Sequence, residues 1–376
     1  MSKKFLSALA LSLLLLLAPA LSAEPLYSPT WGFGIDLPEG YQYAEGNSFD
    51  RYSFHGPNGA KFDMAVYKGT YRDVGQMADD INRRLGNSGG TAFFEYCETD
   101  AALLELNFMN SSGWGLCLEL ADAENLTVLL LALAYAPAGQ QGMDVFHLSA
   151  LDSIVPAEPA RRMTGPIMEF GYPRGKQRQA SIAGTGLNAV ICENDAEAAQ
   201  ELVDREYALL TRYQSSPDWQ EAWIRFYRAI YRDSWGRLGD AVLVIARNLG
   251  NASGADNEWA FAEKTLAWVQ GFQYERDPQG SDFVNLVTAA TEGRGDCDSR
   301  AMLWAMLMRQ ADITSAIMVS PKHSHAMGLA DIAGGGARFE SHGIKWVVAE
   351  TTVKVGLGLI AQDMSDTESW IAVIFE

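Results

Sequence analysis

Four prolines, Pro156, Pro159, Pro166 and Pro173, fall within residues 156–180, together with Arg161, Arg162, Arg174, Lys176 and Arg178. Proline fixes φ and removes a backbone donor, so no long helix or strand can run through such a stretch. We read 156–180 as a solvated linker, which splits the chain into residues 24–155 and 181–376. The length agrees, because 376 residues exceed what one hydrophobic core ordinarily serves. With 48% hydrophobic and 20% charged residues, both parts belong to the folded class.

The two parts differ in period. Before the break, short alternating runs at Gly32–Leu37, Asp50–Phe54 and Lys61–Tyr67 predict strands, the last two joined by the HGPNG turn at 55–59. Apolar residues at Val74, Met77, Ile81 and Leu85 predict a helix over Val74–Leu85. Four further strands follow at Ala92–Cys97, Leu103–Met109, Trp114–Leu120 and Leu126–Tyr135, then a helix over about Gln141–Ile154. The expected fold class is α+β, an antiparallel sheet with helices. Beyond residue 180 the pattern turns helical, first over Asp195–Tyr213. In the next segment Ser216 is the expected N-cap and Pro217 the first helical residue. Trp219, Trp223, Phe226, Ile230 and Tyr231 form one stripe there, read as core packing, and further helices are expected at Ala241–Leu249 and Asn257–Phe272.

Residues 1–23 combine Lys3 and Lys4, an apolar run from Phe5 to Leu17, Pro19 and small residues up to Ala23. This is the layout of a secretory signal peptide, too short for a membrane span of about 20 residues. The expectation is an exported protein, periplasmic or extracellular, soluble after cleavage and without stable membrane insertion. The net charge of −18 argues against a nucleic-acid partner, which needs a positive field. An exported chain can form disulfides. Cys97 and Cys117 are candidates, but a third strand is expected between theirs, and Cys192 has no evident partner.

The stretch SDFVNLVTAATEGRGDCDSRAMLWAMLMRQ carries the chemistry. A short apolar helix through Phe283, Leu286, Val287 and Ala290 ends at Gly293 and Gly295, and a helix then starts at Cys297. A thiol at a helix N-terminus meets unpaired N–H groups and the positive end of the macrodipole, the setting of a nucleophilic cysteine. Of five histidines, His323, His325 and His342 follow Cys297, and Glu350 lies near the end of the strand-like run GIKWVVAETT. His325 stands 28 residues after Cys297 and Glu350 stands 25 after His325, spacings that let one crossover and one hairpin bring the three together. His323 and His325, two apart, would face the same side of a strand. With Asp296 or Cys297 they would make a zinc site, but no paired-ligand spacing such as C-x2-C accompanies them, so no metal and no cofactor are expected.

GRGDCDSRAMLWAML resembles the G-x-G-D-C-x-x-x-A segment of transglutaminase-like (papain-type) thiol enzymes. HAMGLADI resembles that family's histidine strand, KWVVAETT its acid strand, and AWVQGFQYERD its lead-in helix and tyrosine turn. The resemblance runs from about residue 260 to 376. It implies Cys297 as nucleophile, His325 rather than His323 as base and acid, and Glu350 as orienting carboxylate where the family usually has Asp. It implies a C-terminal fold with the cysteine helix packed on an antiparallel sheet. The activity it implies is acyl transfer on a protein or peptide amide, as a cysteine peptidase or amidase; an inactive binding protein on the same scaffold is the alternative. Asp296 and Asp298 are expected to cap the helix or hold its loop, with Arg294 and Arg300 as partners. Thr291 stands six residues before Cys297, where papain-like enzymes place a glutamine. The βββ-α-ββββ-α order and the SPTWGFGIDLPEGY opening of residues 24–155 resemble PsbP/Mog1-like domains, which implies a binding module.

Overall fold

The computed structural model describes residues 25–47, 49–120, 126–250, 255–276 and 281–375. The expected signal segment lies outside them. The chain is α+β, built around two antiparallel sheets.

A short ladder, β1 (Leu26–Tyr27) with β2 (Gly34–Ile35), precedes a sheet of seven strands. These are β3 (Gln42–Gly46), β4 (Arg51–His55), β5 (Lys61–Lys68), β6 (Thr91–Tyr96), β7 (Thr99–Phe108), β8 (Ser111–Leu120) and β9 (Val128–Pro137). Their spatial order is β3-β4-β5-β9-β8-β7-β6. Helix α1 (Val74–Leu85) starts on Asp73, whose side chain accepts from the Gln76 amide, and stops at Gly86 with φ of 61°. Its apolar stripe covers Ala65, Leu129, Leu131 and Leu133. The alternate residues of β9, Val128, Leu130, Ala132 and Ala134, face α2 (Met143–Asp152) and α3 (Pro166–Gly171). A central strand covered on both faces reads as one continuous apolar run, as β9 does. β3 is exposed along its whole length, and its sequence offers no alternation to detect.

Cys97 sits in the turn after β6 and Cys117 on β8, with β7 between them, and all four cysteines are free thiols. The expected linker is structured instead: Glu158–Arg162 is a 3-10 turn, and Pro166 opens α3 at the position where its missing N–H costs nothing. Beyond α3 come β10 (Gln177–Ile182), which lies largely beyond the proline cluster, and its hairpin partner β11 (Leu187–Cys192). Arg161 lies over the ring of Tyr27 and Arg162 over that of Trp235, so this basic run is partly stacked on aromatic surface.

Helix α4 (Asp195–Leu210) leads to α5, one helix of 31 residues over Trp219–Leu249. The expected separate helix at 241–249 is its last part. Ser216 does not cap α5; its hydroxyl accepts from Asp218 N ahead of the helix. The stripe is core: Phe226, Tyr227, Ile230, Tyr231 and Trp235 are buried with the C-terminal elements, while Trp219 packs with Phe146 and Met143 of the first part. Side chains of α4 and α5 also bind that part directly. Arg225, itself buried, donates to Glu206 at 2.8 Å, to the Asp36 carbonyl at 2.8 Å and to Ser149 Oγ at 2.8 Å. Arg228 clasps both oxygens of Asp36.

The C-terminal elements are α6 (Ala255–Val269), β12 (Gln273–Tyr274), α7 (Leu286–Glu292), β13 (Arg294–Gly295) and α8 (Cys297–Gln310). A second sheet follows, of β14 (Ser315–Ser320), β15 (His325–Ala330), β16 (Arg338–Ser341), β17 (Ile344–Ala349) and β18 (Ile371–Ile374), in the order β16-β17-β15-β14-β18. Every residue of α8 from Ser299 to Met308 is buried, as a helix enclosed on all sides requires. It packs on one face of the sheet, where Ile317, Val319, Ala326 and Val347 point, and the other face has its own core around Trp346 and Trp370. Gly328 on β15 lies so close to α8 that a Cβ there would run into the ring of Trp304. That close approach sets the cysteine helix directly across the histidine strand.

Candidate active site

Helix α7 ends on Gly293, at φ of 69°. The next two residues pair in parallel with Gln273 and Tyr274, which fixes the tyrosine turn beside the loop that enters α8. Asp296 is the N-cap: Oδ1 accepts from Ser299 N at 2.7 Å, and Oδ2 accepts from Val284 N at 2.8 Å. One carboxylate thus closes the first turn of α8 and ties down the approach to α7. Burial first, then the neighbouring Asp298, pushes its carboxyl up to about 7, against the pull of those two amides.

Cys297 is the first residue of α8 and is only 2% exposed. Its thiol donates to Asp298 Oδ2 at 3.4 Å. The thiol is pushed well up, by burial first, then by the charges of Asp298 and Asp296, while a hydrogen bond from the Ala326 amide pulls it down. That amide belongs to the residue after His325. Asp298 also accepts a hydrogen bond from the hydroxyl of Tyr227 on α5. The arginines do not pair with these aspartates. Arg294 binds Glu292 and Glu275, and buried Arg300 donates to the carbonyls of Gly295 and Phe272 while lying over the Tyr274 ring. Removal from water, then the Cys297 charge, raises the pKa of the Tyr274 phenol.

His325 opens β15, and its Nε2 lies 2.8 Å from Glu350 Oε2. Glu350 follows β17, the neighbour of β15, one step beyond the Gly328–Ala349 pair. Its Oε1 accepts from Thr352 N at 2.7 Å and Thr352 Oγ1 at 2.6 Å, and its carbonyl accepts from Gln270 Nε2 at 2.7 Å. Burial would raise this carboxyl, but the His325 and Thr352 bonds outweigh it and hold it below the usual range. With Nε2 engaged by the carboxylate, Nδ1 is the ring nitrogen left for other chemistry. Trp370 meets the His325 ring edge-on, with centroids 6.3 Å apart.

His323 lies in the turn before β15 rather than on the strand, its ring stacked on Trp370 at 5.4 Å. Both imidazoles therefore touch one indole, and only His325 meets a carboxylate. Among the described residues no group of three His, Cys, Asp or Glu side chains is arranged to hold a metal. The Thr291 hydroxyl is turned into its own helix, on the carbonyl of Val287. Sequence reasoning missed Gln270, Thr352, Trp370 and Tyr227. The Glu-Thr-Thr run after the strand was the one local signal for Thr352.

A scan against protein-family models finds no match to this sequence, and a search among curated proteins finds none either. Among solved structures, the chain is similar to a crystal structure of a Parabacteroides distasonis protein provisionally described as a protease. The identity is 12%, with 80% of this chain and 69% of that one covered and a TM-score of 0.24. Among the described residues no helix is long and apolar enough to cross a membrane.

Proposed function

We propose that this protein is an exported thiol enzyme of transglutaminase-like type that cleaves or transfers a protein or peptide amide through an acyl-enzyme on Cys297. The observation that carries the reading is the chain Thr352–Glu350–His325, set on the strand whose Ala326 amide reaches the Cys297 thiol. In this mechanism His325 Nδ1 takes the Sγ proton as sulfur attacks the amide carbon. The imidazolium, held by Glu350, then protonates the departing amine. Water or a second amine attacks the thioester, His325 again moving the proton, and the thiol is restored. First-turn N–H groups of α8 stabilise the oxyanion, with the Tyr274 phenol as candidate second donor.

Burial and Asp298 keep the resting thiol protonated, so the proton leaves during attack and not beforehand. The same features favour a second reading, a binding protein without turnover. Treating the full chain with p-nitrophenyl acetate and locating the acetyl group by peptide mass separates the two. The enzyme reading expects acetyl on Cys297, absent in His325→Ala. No acylation of Cys297, or equal acylation without His325, refutes it.

A further inference from the structure

The first sheet unit and α5 enclose a cavity of about 110 Å³, and Cys297, His325 and Glu350 are not among the residues that line it. Its wall is largely apolar and aromatic, from Tyr27, Ile35, Val155, Leu202, Trp235 and Phe375. Six arginines line it against four carboxylates, in a chain whose net charge is −18. Arg161 is taken by Glu158, which is not a lining residue, Arg225 by Glu206, Arg228 by Asp36, and Arg205 by Asp152 and Glu206. Asp233 is taken by Arg237, which is not a lining residue.

Arg232 finds neutral acceptors only: the carbonyls of Asp152 and Ile154, each at 2.9 Å, and the Tyr96 hydroxyl at 3.1 Å. Arg162, exposed at the rim, stacks on Trp235 and meets no carboxylate among the described residues. Two buried donors, Arg205 Nη1 and Arg232 Nε, have no hydrogen-bond partner. Buried guanidinium groups are normally paired and their donors used, because an unmet donor away from water is costly. A cavity that combines surplus positive charge with an apolar wall has the chemistry of a receptor for an organic anion. We propose that it binds a small carboxylate with an apolar body, the carboxylate received by Arg162 and Arg232 and the body lying against the aromatic wall.

Calorimetric titration of the full chain tests this with octanoate, octylamine and acetate as probes. Octanoate should bind saturably at one site, octylamine should not, and acetate should bind far more weakly. Arg232→Gln should weaken octanoate by at least about tenfold, the scale of one charge-assisted contact. Arg162→Gln, at an exposed position that leaves the core intact, should weaken it several-fold, and decides the matter if Arg232→Gln fails to fold. Absence of saturable octanoate binding, equal binding of octylamine, or affinity unchanged in both folded variants overturns the proposal.

Discussion

Asp298→Asn should make Cys297 more reactive, not less. The carboxylate oxygen lies 3.4 Å from the thiol sulfur. At that separation two negative charges repel by about 1 kcal/mol in bulk water and about 5 kcal/mol at an effective dielectric of about 20. Asp298 is half-buried, so its true contribution lies between those limits. Removing the charge lowers the thiol pKa. Since 1.4 kcal/mol is a factor of ten, the thiolate fraction below that pKa should rise by about tenfold to about a thousandfold. The assay is the second-order rate of iodoacetamide labelling from about pH 6 to about pH 9, with Cys297→Ala subtracting the other three thiols. Tyr227→Phe supplies a control of opposite sign. The phenol donates to Asp298 and disperses its charge, so without it the carboxylate repels the thiolate more strongly and labelling should slow. Wild-type labelling rates in a folded Asp298→Asn protein would refute the idea that this carboxylate sets the resting state of the thiol.

Other outcomes follow from the same geometry. Cys297→Ala and His325→Ala should each abolish most acyl transfer, Glu350→Gln should cost about 1–3 kcal/mol of barrier, and His323→Ala should be mild; steady-state kinetics give the ranking. Cys297→Ala should lower stability only slightly, by about 1 kcal/mol in urea unfolding, since it removes one sulfur from a buried site. His147 is buried without partners for either ring nitrogen, and burial foremost pushes its pKa down to about 4. The unfolded chain takes that proton near pH 6.5, so wild-type stability falls relative to His147→Leu as pH drops through this window, by about 3 kcal/mol in all. Unfolding curves of the pair at several pH values read the difference directly, and equal slopes would contradict it. Export as proposed expects intact mass of the mature protein to place its first residue between Leu21 and Glu24.

The elements legible in the sequence were those with a regular hydrophobic period. Helix α1 announced itself through the regular stripe of Val74, Met77, Ile81 and Leu85, and the strands flanking it through alternation. β3 was invisible because all five of its residues are exposed. The supposed linker misled because proline density marks helix starts as well as loops, and Pro166 is a helix start. At the site, Cys297, His325 and Glu350 stood out by residue type and order, the first two on elements that local pattern could assign and Glu350 one step past the strand expected to carry it. Asp298 was expected to cap the helix or hold its loop, but its bond to Tyr227 was not legible: the two are 71 residues apart, and nothing local marks that tyrosine's hydroxyl as reaching the cysteine loop. The arginines flanking the cysteine seemed natural partners for its aspartates, yet backbone carbonyls hold Arg300, and Glu275 and Glu292 hold Arg294.

Helix α5 has a consequence for how the molecule comes apart. Its arginines place buried positive charge on Asp36, Ser149 and Glu206, while its aromatic residues complete the core around α8. Separating the first part from α5 would take the Asp36 carboxylate from Arg228 and the Asp36 carbonyl and Ser149 from Arg225, which keeps Glu206; hydrogen bonds to charged groups are worth about 1.5–3 kcal/mol each. Neither half carries a helix face it can afford to expose, so the two sheets should melt together. A single calorimetric transition is the expected trace, with equal van't Hoff and calorimetric enthalpies, even though the chain contains two sheets with separate cores.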